Sequence, residues 1–461
     1  MTFLDEARRL APRFAARAAG HDRDGTFPVD DFADLRAAGM FGLMVPTRLG
    51  GLGSGFVGYA DVAYELARGS GATALVFNMH ASVTGALAGI PAAMASALGV
   101  PDSFFEARDE ILRGAAAGKF YAVAMSERGA GSRLSQLSTM YTPEDGGYRI
   151  KGAKTFVSGS GHADAYLVAA RSGDDPQTVS QFLVPADTPG ITVEPTWDSL
   201  GMRATCSHDL HLDVTVARGT LLGGVEGLAL WFAQLMPHWL VASYAAVYVG
   251  VAQACVDAAV VHVTGRGHGG LPWVRSRVGR ADAAVAAARL AVAEAARRVD
   301  AAAGDTDTNR WVWRAKLLAG TTAADVAASM LEAAGTSATR RGNPLERLYR
   351  DARCGSLQPA TSDVCADWLG IAYPPPLVQD ELWRGFFRSH YSGVQRALAS
   401  RLFANSGVVT RHGALNPLIE DVSGWSTERR MRRYLPEALP LGKSAVGDAL
   451  AAAGLPAAEI G

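Results

Sequence analysis

The chain has 461 residues, 49% hydrophobic and only 19% charged, and its 44 Lys and Arg are balanced by 45 Asp and Glu for a formal net charge of −1. That balance leaves no broad basic surface for nucleic acid, and the wealth of Leu, Val, Phe and Trp excludes a mainly disordered chain. Four scattered cysteines (Cys206, Cys255, Cys354, Cys365) with no Cys-x-x-Cys spacing argue against a disulfide framework or a metal site.

In chain order, residues 1–118 read as an N-terminal helical domain. Leu10, Phe14 and Ala18, then Phe32, Leu35 and Phe41, recur at helical spacing. Acidic residues at Asp5 and Glu6 stand where a signal peptide needs a basic start, so the start reads as an amphipathic helix of a cytoplasmic protein. Leu49-Gly50-Gly51-Leu52-Gly53 marks a loop. Helices are expected again over Tyr59–Ala67 and around Leu75–Ile90.

The period changes near Phe120. Short apolar runs at 120–125, 148–152, 165–170 and 182–184, with further candidates at 191–193 and 209–212, predict strands of a compact middle β-domain over 119–226. From Gly227 the pattern is helical once more, giving a C-terminal bundle over 227–372. Gly227–Val263 exceeds the ~20 residues of a membrane-spanning helix, but Gln234, Pro237, His238, Gln253 and Asp257 interrupt it, so it reads as a buried bundle helix. Tyr373-Pro374-Pro375-Pro376 closes the bundle, and 373–461 reads as a C-terminal extension that packs as helices. Its basic run Arg429-Arg430-Met431-Arg432-Arg433 suits a solvated helix face or contact with an acidic carrier protein. Helices, then strands, then helices imply an α+β chain with segregated layers, and no Gly-x-Gly-x-x-Gly follows a strand as a doubly wound nucleotide fold requires.

The most informative stretch is Met125-Ser126-Glu127-Arg128-Gly129-Ala130-Gly131-Ser132, where small residues between serines let backbone N–H groups approach a polar ligand. It is followed by Lys154-Thr155-Phe156-Val157-Ser158-Gly159, by Leu200-Gly201-Met202-Arg203, and by Pro344-Leu345-Glu346-Arg347-Leu348-Tyr349-Arg350-Asp351-Ala352-Arg353. In that order and spacing these segments resemble the acyl-CoA dehydrogenase superfamily, from about residue 5 to residue 372.

The resemblance implies an N-terminal helical domain, a middle β-barrel-like domain and a C-terminal four-helix bundle, with FAD between barrel and bundle. By the same resemblance Met125 and Ser126 meet the flavin ring, and Ser132 lies close to flavin and thioester. Phe156 replaces the usual Trp over the ring, and Ser158 replaces the Thr at flavin N5. Arg266 and Gly270 match a segment that reaches the pyrophosphate of FAD in a neighbouring subunit, which implies a homodimer or homotetramer; Gly269 stands where the family has an aromatic residue. Gly335 falls in the adenosine segment, where Glu332 replaces a Gln, and Thr361 closes the segment that usually reads Tyr-Glu-Gly-Thr. Arg350, Asp351 and Arg353 are expected to form ion pairs at helix ends.

One departure bears on the reaction. Dehydrogenation of an acyl thioester needs a base for the α-proton while hydride leaves the β-carbon, and a buried carboxylate serves best. Here Gln358-Pro359-Ala360-Thr361 puts Pro359 at the usual Glu position, and Leu240 occupies the family's alternative site. His80, His238, Glu381 and His390 are candidates for a substitute base, each with the bland alternative of a hydrogen-bonded structural residue. The resemblance therefore implies an FAD-dependent dehydrogenase or oxidase of an acyl thioester carried by coenzyme A or an acyl-carrier protein. Two alternatives stay open. One is a reduced-flavin monooxygenase of the same fold, using FMN, for which His80 fits loosely and Gln358 stands near a second expected His. The other is a catalytically silent flavoprotein.

Overall fold

The computed structural model describes residues 2–90, 100–131, 133–175, 178–239 and 241–371, with shorter pieces between 377 and 425. It divides into two compact units, Met1–Cys365 and Ala366–Gly461.

The first unit opens with α1 (Phe3–Asp24), fixed at its start by a capping box. The Thr2 hydroxyl accepts from Asp5 N, the Asp5 carboxylate accepts from Thr2 N, and Leu10, Phe14 and Ala18 face the core. Then come α2 (Val29–Ala37), α3 (Phe56–Gly69), α4 (Gly71–Ala88) and α5 (Asp102–Ala116). Almost every residue of α4 is buried, so it is a core helix with no polar face.

Seven strands follow: β1 (Tyr121–Ala124), β2 (Met140–Glu144), β3 (Gly147–Val157), β4 (Ala165–Ser172), β5 (Val179–Pro185), β6 (Ile191–Glu194) and β7 (His208–Ala217). They form one curled mixed sheet in the order β1-β4-β2-β3-β7-β6, with β5 also paired to β4. The strands β1 and β4, whose apolar runs are nearly continuous, pair in parallel, as strands covered on both faces do. Strand β2 is not among those expected from the sequence: it carries Pro143 and alternates mostly exposed residues, so no apolar run announces it.

The long apolar stretch after Gly227 resolves into two helices, α6 (Leu228–Leu235) and α7 (Ala242–Gly265), separated at Pro237 by a single 3-10 turn. The run Pro237–Gly265 is long and apolar enough to cross a bilayer, and 67% of its most apolar window is buried inside the fold. It serves as a core helix, in contact with α3 and with the next two helices, α8 (Pro272–Ala302) and α9 (Thr306–Ala334). Helix α10 (Pro344–Arg353) packs on α7 and α9, and α11 (Ser362–Ile371) runs across the boundary between the two units. The three-part architecture expected from the sequence is thus the observed one.

In the second unit, Leu377–Val378 pairs antiparallel with Thr410–Arg411, and α12 (Gln379–Gly385) is a short helix. The basic run 429–433 lies outside the described residues.

Candidate functional site

The site is built where β1 ends. From Met125 the chain turns back tightly: Glu127 N donates to Gly131 O at 3.0 Å, and Gly131 N to Glu127 O at 2.7 Å. Gly131 sits at φ +58, and a Cβ on either Gly129 or Gly131 would meet nothing within 4 Å, so this turn presents its backbone to open space. The buried Glu127 carboxylate holds the turn in place. It accepts from Ser138 N and Oγ, both at 2.6 Å, from Thr139 N at 3.0 Å and from Lys154 Nζ at 2.7 Å. Burial raises its pKa, but the Lys154 and Ser138 hydrogen bonds outweigh that and hold it at about 2. Met125 and Ser126 are half-buried, and Ser126 O accepts from Thr155 N at 2.9 Å, which ties the turn to β3. Ser132 lies outside the described residues.

The β3–β7 ladder pairs Lys154 with Leu210 but Val157 with His208, so β3 carries one extra residue there. This bulge re-aims the side chains on either side of it. Phe156, at φ +57, points outward with 61% of its surface exposed, its ring edge-on to Trp197 at 5.9 Å. Ser158 turns inward and shares a hydrogen bond with Ser207 Oγ at 2.9 Å; Ser207 in turn meets Thr205 Oγ1 at 2.7 Å. Among the described residues the non-glycine positions with positive φ are Phe156, Met202 and Cys206, all in this one region. Such conformations cost of order 1–3 kcal/mol each and persist where the surroundings over-determine them. The 202–206 turn is pinned from the bundle by Asp351 Oδ1, which accepts from Met202 N at 2.6 Å. Arg350 binds Asp22, Glu346 and Leu200 O in the same place, and Asp351 pairs with Arg347 at 3.2 Å, so both residues form the expected structural ion pairs. Arg353 is exposed and, among the described residues, donates to Ser356 Oγ at 3.0 Å with no ion pair.

These residues fit a flat aromatic redox ring: an exposed aromatic face at Phe156, a hydroxyl two residues away at Ser158, and a glycine turn with open space at Gly129 and Gly131 that Ser126 O ties to β3. Met125 also lines an adjoining cavity of about 710 Å³, its open mouth included. Leu87, Phe104, Leu167 and Trp239 form much of its wall, and Ser82 and Gln181 supply its polar side chains. Among the described lining residues there is no carboxylate and no imidazole.

His80 is not in that wall. It is 1% exposed, its Nε2 lies 2.8 Å from Phe41 O and its Nδ1 accepts from Tyr121 N at 3.1 Å. Both ring nitrogens are thus used by backbone, which fixes a neutral tautomer with Nε2 protonated, and burial lowers its pKa to about 4. His238 is also buried, with its pKa lowered to about 4 by burial; its ring packs against Phe56 and Trp239, and among the described residues its Nδ1 has no hydrogen-bond partner. Leu240 is outside the described residues, and so is the His390 side chain; Glu381 belongs to the second unit, on α12.

Gln358 and Pro359 are half-buried in the loop between α10 and α11. Sequence reasoning missed what holds that loop: the buried Lys316 of α9 donates to Gly355 O at 2.9 Å and Gln358 O at 3.2 Å. Burial lowers the Lys316 pKa to about 8. Its sequence signal was a lone cation among the core positions Val312, Ala315, Ala319 and Ala323. Thr361 Oγ1 accepts from Val364 N at 3.3 Å as a helix cap. Gly335 ends α9 at φ +77, and Arg266 and Gly270 are exposed at the α7–α8 turn. Glu332 is paired with Arg277 at 2.5 Å.

Residues 1–90, 122–215 and 240–366 match the family models described as the N-terminal, middle and C-terminal domains of acyl-CoA dehydrogenase. The chain is 30% identical over 372 residues to "Putative acyl-CoA dehydrogenase YdbM" of Bacillus subtilis (strain 168), covering 78% of this chain and 93% of that protein. It is 31% identical over 383 residues to "L-evernosamine nitrososynthase" of Micromonospora sp., covering 80% and 89%. Among solved structures it is similar to KijD3 in complex with FMN and dTDP-3-amino-2,3,6-trideoxy-4-keto-3-methyl-D-glucose, with a TM-score of 0.69, 28% identity and coverage of 86% and 96%.

Proposed function

The chain belongs to the acyl-CoA dehydrogenase family, a family of flavin oxidoreductases, and from that membership we propose that it is a monooxygenase that takes up externally reduced flavin and oxidises a small, largely apolar substrate. One observation carries the reading: the cavity beside Met125 has apolar walls and, among its described lining residues, no side chain that could accept an α-proton. Oxygenation needs no such base, whereas dehydrogenation of a thioester does. Pro359 in place of the usual Glu points the same way; His80, with both nitrogens held by backbone, serves neither reading.

A bound flavin would supply hydride acceptance or, when it arrives reduced, activation of oxygen. In this reading Phe156 covers the ring, Ser158 meets N5, and Met125 and Ser126 line the ring edge, with Ser132 nearby. FMN is preferred to FAD because the contacts to the dinucleotide are altered: in the adenosine segment Glu332 is paired with Arg277, and in the pyrophosphate segment Gly269 offers no aromatic face. Arg266, Gly270, Gly335 and Thr361 are then left to bind a phosphate or to assemble subunits. Exposed Val261, Trp273 and Leu290 on the same helices favour assembly of two or more copies.

The second reading is a dehydrogenase or oxidase of an acyl thioester on coenzyme A or an acyl-carrier protein. The unpartnered Nδ1 of neutral His238 favours it as a base, and so does the likeness to the Bacillus protein. The two readings separate in one experiment. The monooxygenase consumes oxygen in the presence of reduced FMN and incorporates it into an apolar amine, thioether or arene, and no acyl thioester bleaches its flavin anaerobically. Anaerobic bleaching by an acyl-CoA or acyl-carrier protein would overturn that reading in favour of the second. A purified chain that takes up neither FMN nor FAD would instead be catalytically silent.

A further inference from the structure

Three hydroxyls run in line behind the surface that Ser158 offers to the flavin. Ser158, Ser207 and Thr205 are 8%, 4% and 0% exposed, so solvent does not complete their hydrogen bonds. Thr205 Oγ1 also lies 2.9 Å from Met202 O, a carbonyl that accepts from Thr205 N and Trp197 Nε1 as well. A carbonyl only accepts and each hydroxyl has one proton, so the end of the chain sets the direction of the rest. Thr205 donates to Met202 O, Ser207 then donates to Thr205, and Ser158 donates to Ser207. Ser158 therefore turns its lone pairs, not its proton, toward the ligand.

The two redox states of a flavin differ at that point. Reduced flavin carries N5–H, a donor; oxidised N5 is an acceptor. Resting on the reading of Ser158 as the N5 contact, we propose that the Ser158–Ser207–Thr205 chain makes this site select reduced over oxidised flavin. Reduced flavin adds one hydrogen bond to the chain as it stands. Oxidised flavin gains its bond only if Ser158 turns its proton away from Ser207, which gives up one bond of the chain wherever the reversal stops. The net difference is one neutral hydrogen bond, about fivefold in affinity. This selectivity suits a protein that receives its flavin already reduced, and it is a property of binding, independent of turnover.

The test is to titrate the full chain anaerobically with oxidised FMN and with dithionite-reduced FMN, and to compare the ratio of the two Kd values among variants. Thr205→Val removes the terminal donor and leaves Ser207 free to donate to Ser158. The preference for reduced FMN should fall about fivefold, equivalent to a bound-flavin potential about 20 mV more negative for a two-electron couple. Ser207→Ala uncouples Ser158 and should give the same loss, whereas Thr205→Ser keeps the hydroxyl and the wild-type ratio. Far-ultraviolet circular dichroism and Tm establish that each variant is folded. If both Thr205→Val and Ser207→Ala keep the wild-type ratio, the selectivity is overturned while the monooxygenase reading stands. If the ratio shifts as expected but no oxygen is incorporated into any substrate, the selectivity stands and the monooxygenase reading falls. If the wild-type chain binds neither form of FMN, both fall together.

Discussion

Lys154 sets its ammonium 2.7 Å from the Glu127 carboxylate, and their side chains are 0% and 5% exposed. The pair joins the turn after β1 to β3, which carries Phe156 and leads into Ser158, so the two halves of the proposed flavin-facing surface share one buried link.

Removing one partner leaves the other charge buried and alone. Glu127→Ala should destabilise the fold by about 3–5 kcal/mol, read as a lower urea midpoint with unchanged slope. The double variant Glu127→Leu, Lys154→Met should recover much of that loss, because neither charge then remains. A single variant within about 1 kcal/mol of wild type would show that the turn is held by its backbone alone, against the net worth of a buried pair.

The acid limb follows from the same carboxylate. Its folded pKa of about 2 lies below its ordinary value of 4.5. The stabilisation is therefore complete above pH 4.5 and is lost as pH falls toward 2. Wild type and Glu127→Ala should converge in stability across that interval; parallel curves would assign the acid limb to other groups.

Lys316 gives a dependence of the same sign in the alkaline range. Its folded pKa of about 8 lies below its ordinary 10.5, so between those values the unfolded chain holds more protons than the folded one. Stability attributable to this group rises with pH across that interval. Compared with Lys316→Met, wild type should gain stability from pH 8 toward 10.5. A flat difference would mean that the ammonium stays charged against Gly355 O and Gln358 O throughout.

Phe156 combines a left-handed backbone with an exposed ring. Phe156→Gly removes that strain and should raise the stability of the flavin-free chain by about 1 kcal/mol, while weakening FMN binding through loss of the aromatic face. Higher Tm together with weaker FMN binding is the expected pair of results. Unchanged FMN affinity would remove Phe156 from the flavin site.

His80 joins Phe41 O to Tyr121 N. His80→Ala leaves two buried backbone groups unpaired and should lower stability by about 2–4 kcal/mol. With its pKa near 4, no inflection between pH 5 and 9 in a pH–rate profile should belong to it. A variant of full stability that loses turnover alone would return His80 to the candidates for a base.

Much of the fold was legible because its signals are local. The 3.6-residue spacing of Leu10, Phe14 and Ala18 and the nearly continuous apolar runs of β1 and β4 each follow from which face a segment buries. Strand β2 was not legible, since Pro143 and its exposed residues owe their place to partners on β3 and β4. Within the site, the residue types at Met125, Ser126, Phe156 and Ser158 were readable from order and spacing. The hydrogen bonds that orient Ser158 were not, because Thr205 and Ser207 lie about fifty residues further on.

The sequence by itself determined the three-part architecture, the family and the replacement of the usual Glu by Pro359, all properties of residue identity and periodicity. The tertiary structure decided which groups remain free to act. It engaged both nitrogens of His80 with backbone, left Nδ1 of His238 without a partner among the described residues, put Lys316 beneath the Gln358 loop and gave the hydroxyls behind Ser158 a direction. Hydrogen bonding is decided by distances of about 3 Å between atoms far apart along the chain, and only the folded backbone brings such atoms together.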